Sequence, residues 1–202
     1  MYQRKVFDRF LTRGEERQLM RHVAQFNDLF ARRDHAMLQL LRQTGMRVGS
    51  LVGLDVWEAR EALRTGRLVL ADESAKRGLG YSVPVNRFAK EALRTLIKVR
   101  QRLGFDDLDD DALILSRHGK RISIRSVEAR MQKWRESAGL GVEASPHWLR
   151  HTLAKRMLET SEAAQPLRIV QHALGHSTER ATQVYTFPDR EEIAQAFEAA
   201  AR

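Results

Sequence analysis

The chain contains no cysteine, which excludes a disulfide framework, thiolate ligation of zinc and a cysteine nucleophile. Long apolar runs are also missing, since no stretch approaches the roughly 18 residues that a membrane helix needs. The first ten residues hold Arg4, Lys5 and Arg9 but no apolar segment, so they do not read as a secretory signal. A cytoplasmic location is the expectation. Internal repeats, low-complexity linkers and an evident domain boundary are absent too, which favours one domain over the whole of residues 1–202. Lysine is scarce, with seven copies against 28 arginines.

What is present fits a folded, basic protein. Apolar residues make up 43% of the chain, enough for a real core, and 35 Lys plus Arg outweigh 26 Asp plus Glu to give +9. A polyanionic partner follows, with nucleic acid ahead of an anionic membrane surface. The arginine bias suits phosphate, whose oxygens a guanidinium grips in pairs, although a GC-rich coding sequence explains the bias equally well.

The periodicity is mostly helical. Thr12 and Glu15 form a capping box, after which Leu19, Val23, Phe26 and Phe30 recur at helical spacing. A second helix carries Met37, Leu40 and Leu41 and stops near Gly45, and a short turn holds Leu51 and Leu54. Arg67 to Ala71 and Gly80 to Val85 then read as two strands of a hairpin or small sheet, with Pro84 suited to an edge. Helices return with Phe88, Ala92, Leu96 and Val99, and again with Val127, Met131 and Trp134; Leu113 to Leu115 is a candidate short strand. Ser145 and Pro146 open another helix, shorter ones follow at Leu167 to Leu174 and Ser177 to Val184, and a last one runs from Asp189 with Glu192 completing its capping box. The expected fold is therefore mainly α with a small antiparallel β-sheet.

Three constellations bear on chemistry. Five aspartates between Phe105 and Asp111 offer oxygen ligands for a cation, yet lack the glycine and terminal glutamate of a calcium loop and read better as a solvated loop. His147 with His151, and His172 with His176, have the spacing of metal ligands on a helix face. The first pair encloses Arg150 where a metalloprotease needs a glutamate base, so no metal is expected there. The third is a phosphate site: Arg47 just past a glycine helix stop, Arg150 one turn inside a helix, and His147 three residues before it on the same face. Lys76 lies at the hairpin turn, and Tyr185 follows a helix and precedes Phe187 and Pro188. Taken singly, each of these also reads as an ordinary capping, surface or half-buried residue.

In combination they resemble a known family. Thr44-Gly-Met-Arg-Val-Gly-Ser-Leu-Val-Gly-Leu54, Lys76 eight residues before Pro84, His147-Trp-Leu-Arg150-His151, and Leu174-Gly-His176 with Tyr185 nine residues on are similar to the catalytic-domain signature of the tyrosine recombinases, or phage integrases. The resemblance runs from about Phe10 to Phe187. It implies a site-specific DNA recombinase in which Tyr185 is the nucleophile, Arg47 and Arg150 hold the scissile phosphate, Lys76 is the acid for the leaving 5′ oxygen, His147 is a general acid or base and His176 is a second phosphate ligand. His151 matches the motif without a usual chemical role. A 3′-phosphotyrosyl intermediate retains the bond energy, so neither ATP nor a metal or other cofactor is implied.

The same resemblance implies double-stranded DNA as partner, a homotetrameric synapse, and association with the bacterial nucleoid when bound. Two departures stand out. Ser50 replaces an acidic residue often found three places after the first arginine, and Lys76 lies somewhat far from Arg47. Only about ten residues precede the first helix, so the separate N-terminal DNA-clamping domain of most relatives is expected to be absent, as in small recombinases that invert promoter segments. A chain without it is expected to depend on an accessory DNA-bending protein, cooperative assembly or bent DNA. The helix from 189 to 201 is a candidate protomer contact. Rival readings are a catalytically weak DNA-binding regulator and a topoisomerase-like transesterase of the same fold.

Overall fold

A computed structural model describes residues 9–70, 80–105, 111–176, 178, 180–186 and 190–201. The first helix, α1 (Arg13–Ala24), opens with the expected capping box: the Glu15 N–H donates to Thr12 Oγ1 and the Thr12 N–H to Glu15 Oε2. Its apolar spacing does not continue through Phe26 and Phe30. Asp28 breaks the run, because its carboxylate accepts from the N–H groups of Phe30 and Ala31 and so starts α2 (Leu29–Thr44). Phe26 falls in the connection and is exposed.

Helix α2 is the spine of the core, with Met37, Leu40 and Leu41 buried. It ends at Gly45, whose φ of 64° is the left-handed conformation that the helix stop required. The short α3 (Val48–Gly53) follows. Next comes α4 (Val56–Thr65), a helix the periodicity reading did not separate. Its signal is a second capping box, Asp55 with Glu58, and the buried face Val56, Ala59 and Ala62. The two expected strands are β1 (Arg67–Leu70) and β2 (Tyr81–Pro84), antiparallel with Leu68 opposite Val83 and Leu70 opposite Tyr81. Leu68, Leu70 and Val83 face the core.

Helix α5 (Arg87–Arg102), capped by Asn86, packs along α2 through Ala89, Ala92, Leu93 and Leu96, whereas Phe88 is exposed. Leu113 to Leu115 does not form the expected strand. The segment makes two single-residue pairings instead, Asp55 with Ala112 and Leu115 with Arg121, because the turn at Ser116 to Gly119 folds it straight back. Of the aspartate run, 106–110 lie outside the described residues, and Asp111 pairs with Arg100 at 2.6 Å. The remaining helices are α6 (Ile124–Ser137), α7 (Pro146–Thr160), α8 (Pro166–Ala173), α9 (Arg180–Gln183) and α10 (Arg190–Ala200). Of the helix expected over 177–184, the described residues show the single turn of α9; 177 and 179 lie outside them. Asp189, the expected cap of the last helix, lies outside the described residues; Ile193 and Phe197 on α10 are exposed. Among the described residues no helix is long and apolar enough to cross a membrane. Among the described residues the architecture is thus mainly helical with one two-stranded antiparallel sheet.

Much of the arginine excess is spent inside the fold. Asp34 is fully buried and accepts from Arg33 Nη2 at 2.7 Å, Trp134 Nε1 at 2.8 Å and Arg130 Nε at 2.5 Å, while Arg33 Nη1 donates to the Leu115 carbonyl at 2.7 Å. One carboxylate thereby joins α2, α6 and the 112–122 segment. Arg121 likewise closes α3 by donating to the carbonyls of Val52, Gly53 and Leu54 and pairing with Asp55. Replacing Asp34 by Ala strands the buried Arg33 charge, and urea denaturation should show a loss of about 3–5 kcal/mol, the usual cost of removing one partner from a buried pair.

Candidate active site

The site grows from the N-terminal turns of α7. Ser145 has the extended backbone of an N-cap and Pro146 occupies the first helical position, although the Ser145 side chain makes no capping bond. Its carbonyl instead accepts from the Trp148 N–H. This start leaves His147 partly open to solvent while it buries Arg150, which is only 2% exposed. Arg150 Nη1 donates to the Gly45 carbonyl at 2.5 Å and Nη2 to the Leu174 carbonyl at 2.6 Å; Nη1 also lies 3.5 Å from the Tyr81 hydroxyl. One guanidinium therefore ties the ends of α2 and α8 to β2.

Two glycines make that convergence possible. A Cβ on Gly45 would come within 2.7 Å of Leu174 Cδ2, and one on Gly175 within 2.7 Å of the Tyr81 ring. Both also have positive φ, 64° and 62°, which other residues adopt only with strain. Arg47, two residues past Gly45, is the N-cap of α3 and half-buried. Ser50 lies one turn beyond it, with a buried Oγ that has no hydrogen-bond partner among the described residues.

His176 and Tyr185 close the other side. The His176 backbone N–H donates to the Gln171 carbonyl, and its Nδ1 lies 2.9 Å from Thr182 Oγ1. Tyr185 follows α9, its N–H bonded to the Thr182 carbonyl, and packs beside Leu153, Met157 and Leu158 around Ala154, Val170 and Leu174. Its ring lies 5.2 Å from that of His151 and 6.0 Å, nearly parallel, from that of His176. His151 in turn meets His147 edge to face at 4.4 Å. Five of the six residues singled out in the sequence, Arg47, His147, Arg150, His176 and Tyr185, thus come together. The sixth, Lys76, lies outside the described residues.

Burial and the two arginines set the protonation states. Desolvation, followed by the charges of Arg150 and Arg47, lowers the pKa of His147 and pushes His176 down to about 4. Burial, His147 and Arg150 push His151 down to about 3. All three imidazoles are neutral at neutral pH and able to accept a proton. Burial raises the Tyr185 phenol, while the charge and hydrogen bonding of Arg150, and then the charge of Arg47, draw it back. The pocket is therefore cationic, lined by neutral bases and equipped with a protonated phenol. An entering phosphate would offset the arginine charges and raise the histidines again.

Comparison with known proteins bears on this arrangement. The model of the phage integrase family matches residues 9–192. The chain belongs to that family. Its integrase-family relatives include the protein named tyrosine recombinase XerC of Shewanella amazonensis, 39% identical over 173 residues that make up 86% of this chain and 55% of that protein. XerC of Escherichia coli O157:H7 is 39% identical over 174 residues, again 86% of this chain and 55% of the relative. The chain spans about half the length of these curated relatives. Among solved structures, XerA recombinase superposes with a TM-score of 0.74 at 24% identity, covering 96% of this chain and 65% of that one. XerH bound to palindromic difH substrate, a post-cleavage complex, gives 0.75 at 19% identity, covering 96% and 53%. These two likenesses establish the shared fold.

Two residues of this candidate site escaped sequence reading. Tyr81 is brought to Arg150 only by strand pairing, and its sole local signal is its place near the start of a strand. Thr182 is three residues before Tyr185, so the two share a side of one helical turn, but nothing in the spacing points to a bond with His176.

The depressed histidines also carry a stability signature. Their folded pKa values lie below the ordinary 6.5, so the unfolded chain binds more protons between about 6.5 and about 4 for His176, and between about 6.5 and about 3 for His151. Stability present above that window is lost as pH falls through it. Urea midpoints should decline from pH 7 to pH 5 in the wild type and decline less in His151→Asn; equal slopes would show that His151 is not held neutral.

Proposed function

We propose that the protein is a site-specific DNA recombinase that cleaves and rejoins strands through Tyr185. The observation that carries this reading is the Tyr185 phenol placed against Arg150, between the rings of His151 and His176. Membership of the phage integrase family and the names of the XerC relatives support it. So does the XerH structure, which holds its own difH substrate.

In the proposed reaction the scissile phosphate binds in the cationic pocket, with Arg47 and Arg150 donating to its non-bridging oxygens. The Tyr185 oxygen attacks phosphorus, and the phenol proton passes to the neutral His147 and His151 pair. The bond from phosphorus to the 5′ oxygen breaks, leaving a 3′-phosphotyrosyl link. The leaving oxygen takes a proton from Lys76 and departs as a 5′-hydroxyl. Attack by the 5′-hydroxyl of a second strand reverses each transfer and frees the tyrosine.

Negative charge grows on phosphate oxygens in the transition state, and donors fixed beforehand stabilise it without reorganising. Arg150 suits this role because the Gly45 and Leu174 carbonyls hold its plane, while a guanidinium has further N–H donors to offer. His176 acts as a second donor to the phosphate. The two guanidiniums supply the charge compensation that magnesium provides in other phosphoryl transfers, so no step calls for a metal. The +9 charge serves double-stranded DNA, and four copies forming a synapse, aided by a DNA-bending partner, complete the proposal.

Covalent trapping tests the reading. A pool of nicked duplexes, built from the DNA flanking the gene and from random sequence, is incubated with the protein, denatured in detergent and scored for protein–DNA adducts. The wild type should yield adducts mapping to Tyr185, and Tyr185→Phe none. Arg150→Ala should lower the yield by about a hundredfold or more, as for loss of one preorganised anion donor. No adduct from any duplex, or an adduct at another residue, would sink the proposal.

A further inference from the structure

We propose that Thr182 is a positioning residue: its hydroxyl donates to His176 Nδ1, which fixes the imidazole as the tautomer with Nε2–H free to donate to the DNA phosphate, and its carbonyl anchors the nucleophile segment. The phosphate part of this assignment rests on the recombinase reading above; the tautomer part does not.

The geometry supplies the argument. Thr182 is completely buried, and its Oγ1 lies 2.9 Å from His176 Nδ1. A hydroxyl carries one hydrogen that burial obliges it to place on an acceptor. Among the described residues the only partner of that hydroxyl is Nδ1. The hydroxyl is therefore the donor and Nδ1 the acceptor, and a neutral ring with a bare Nδ1 carries its proton on Nε2. Burial and the neighbouring arginines keep His176 neutral, so the ring has a single proton to place. The opposite tautomer would leave the buried Thr182 hydrogen without an acceptor among the described residues and present a lone pair to an incoming anion.

Thr182 also reaches the nucleophile. Its carbonyl accepts from the Tyr185 N–H at 3.1 Å, while the His176 backbone is bonded to Gln171 on α8. The side chain of Thr182 thus faces the phosphate ligand and its backbone holds the tyrosine. Thr182 is bonded to both of the residues whose rings lie 6.0 Å apart and 20° from parallel. A catalytic imidazole is commonly oriented through the hydrogen bond on its other nitrogen, and here a threonine supplies that bond.

The test combines spectroscopy with cleavage. Nitrogen-15 NMR of the imidazoles, using two-bond couplings to the ring protons, reads the His176 tautomer in wild type, Thr182→Val and Thr182→Ser. Wild type and Thr182→Ser should show Nε2–H. Thr182→Val keeps the shape and the backbone bond to Tyr185 but lacks the donor, and should shift toward Nδ1–H. In the trapping assay Thr182→Val should cleave about tenfold more slowly, the equivalent of about 1.4 kcal/mol, and Thr182→Ser should recover most of that loss. Protonated Nδ1 in the wild type overturns the proposal by itself, even where the valine variant fails to fold. An unchanged tautomer with unchanged cleavage in a folded Thr182→Val overturns it too. A tautomer that follows the hydroxyl in a wild type that cleaves no DNA counts against the recombinase reading and supports the placement of His176 by Thr182.

Discussion

The guanidinium of Arg150 holds together parts of the chain that are far apart in sequence. It is buried, and a buried charge is tolerated only where its donors are satisfied. Here the carbonyls of Gly45 and Leu174 take two of them, and Tyr81 stands close to a third. Carbonyl oxygens satisfy hydrogen bonds without cancelling the charge. The positive field therefore survives at the site, where it adds to the desolvation that lowers His147, His151 and His176 and opposes the upward shift that burial gives Tyr185. Had a carboxylate met Arg150 instead, the same convergence would have held but the anion site would have been filled.

The protein uses arginine in two different electrostatic settings. At Asp34 and Glu16, arginines meet carboxylates: Arg33 and Arg130 at the first, Arg42 and Arg156 at the second. Each carboxylate offsets one of its two guanidinium charges, and the clusters serve the scaffold. Within the site, Arg150 meets backbone oxygen and, among the described residues, no carboxylate. Part of the arginine that the composition suggested was aimed at phosphate is thus spent on internal ties, and two arginines stand in the candidate site. Composition alone has no means of separating these uses, because both draw on the same planar fork of donors.

Much of the framework was legible because it rests on local rules. The capping box of α1, the glycine stop of α2, the two strands and the Pro146 helix start follow from interactions within a few residues, and each formed where expected. The misreadings arose where one local signal masked another. Apolar spacing carried the first helix past Asp28, although the carboxylate there starts a new one, and the same attention to spacing passed over α4 and its capping box. Leu113 to Leu115 has strand composition but finds a partner for only single residues on each side, so no ladder develops.

For the site itself, the sequence determined which side chains are available and their order. Arg47, His147, Arg150, His176 and Tyr185 were picked out by resemblance to the tyrosine recombinase signature, since taken singly each also reads as an ordinary capping, surface or half-buried residue. It also determined where glycine must stand for the chain to turn. Tertiary structure decided which groups face one another. The meeting of Tyr81 with Arg150 depends on how β2 lies against Gly175, and that of Thr182 with His176 on how α9 folds back on α8. It also decided the protonation states, because desolvation and the summed field of two arginines exist only once distant segments share one low-dielectric pocket.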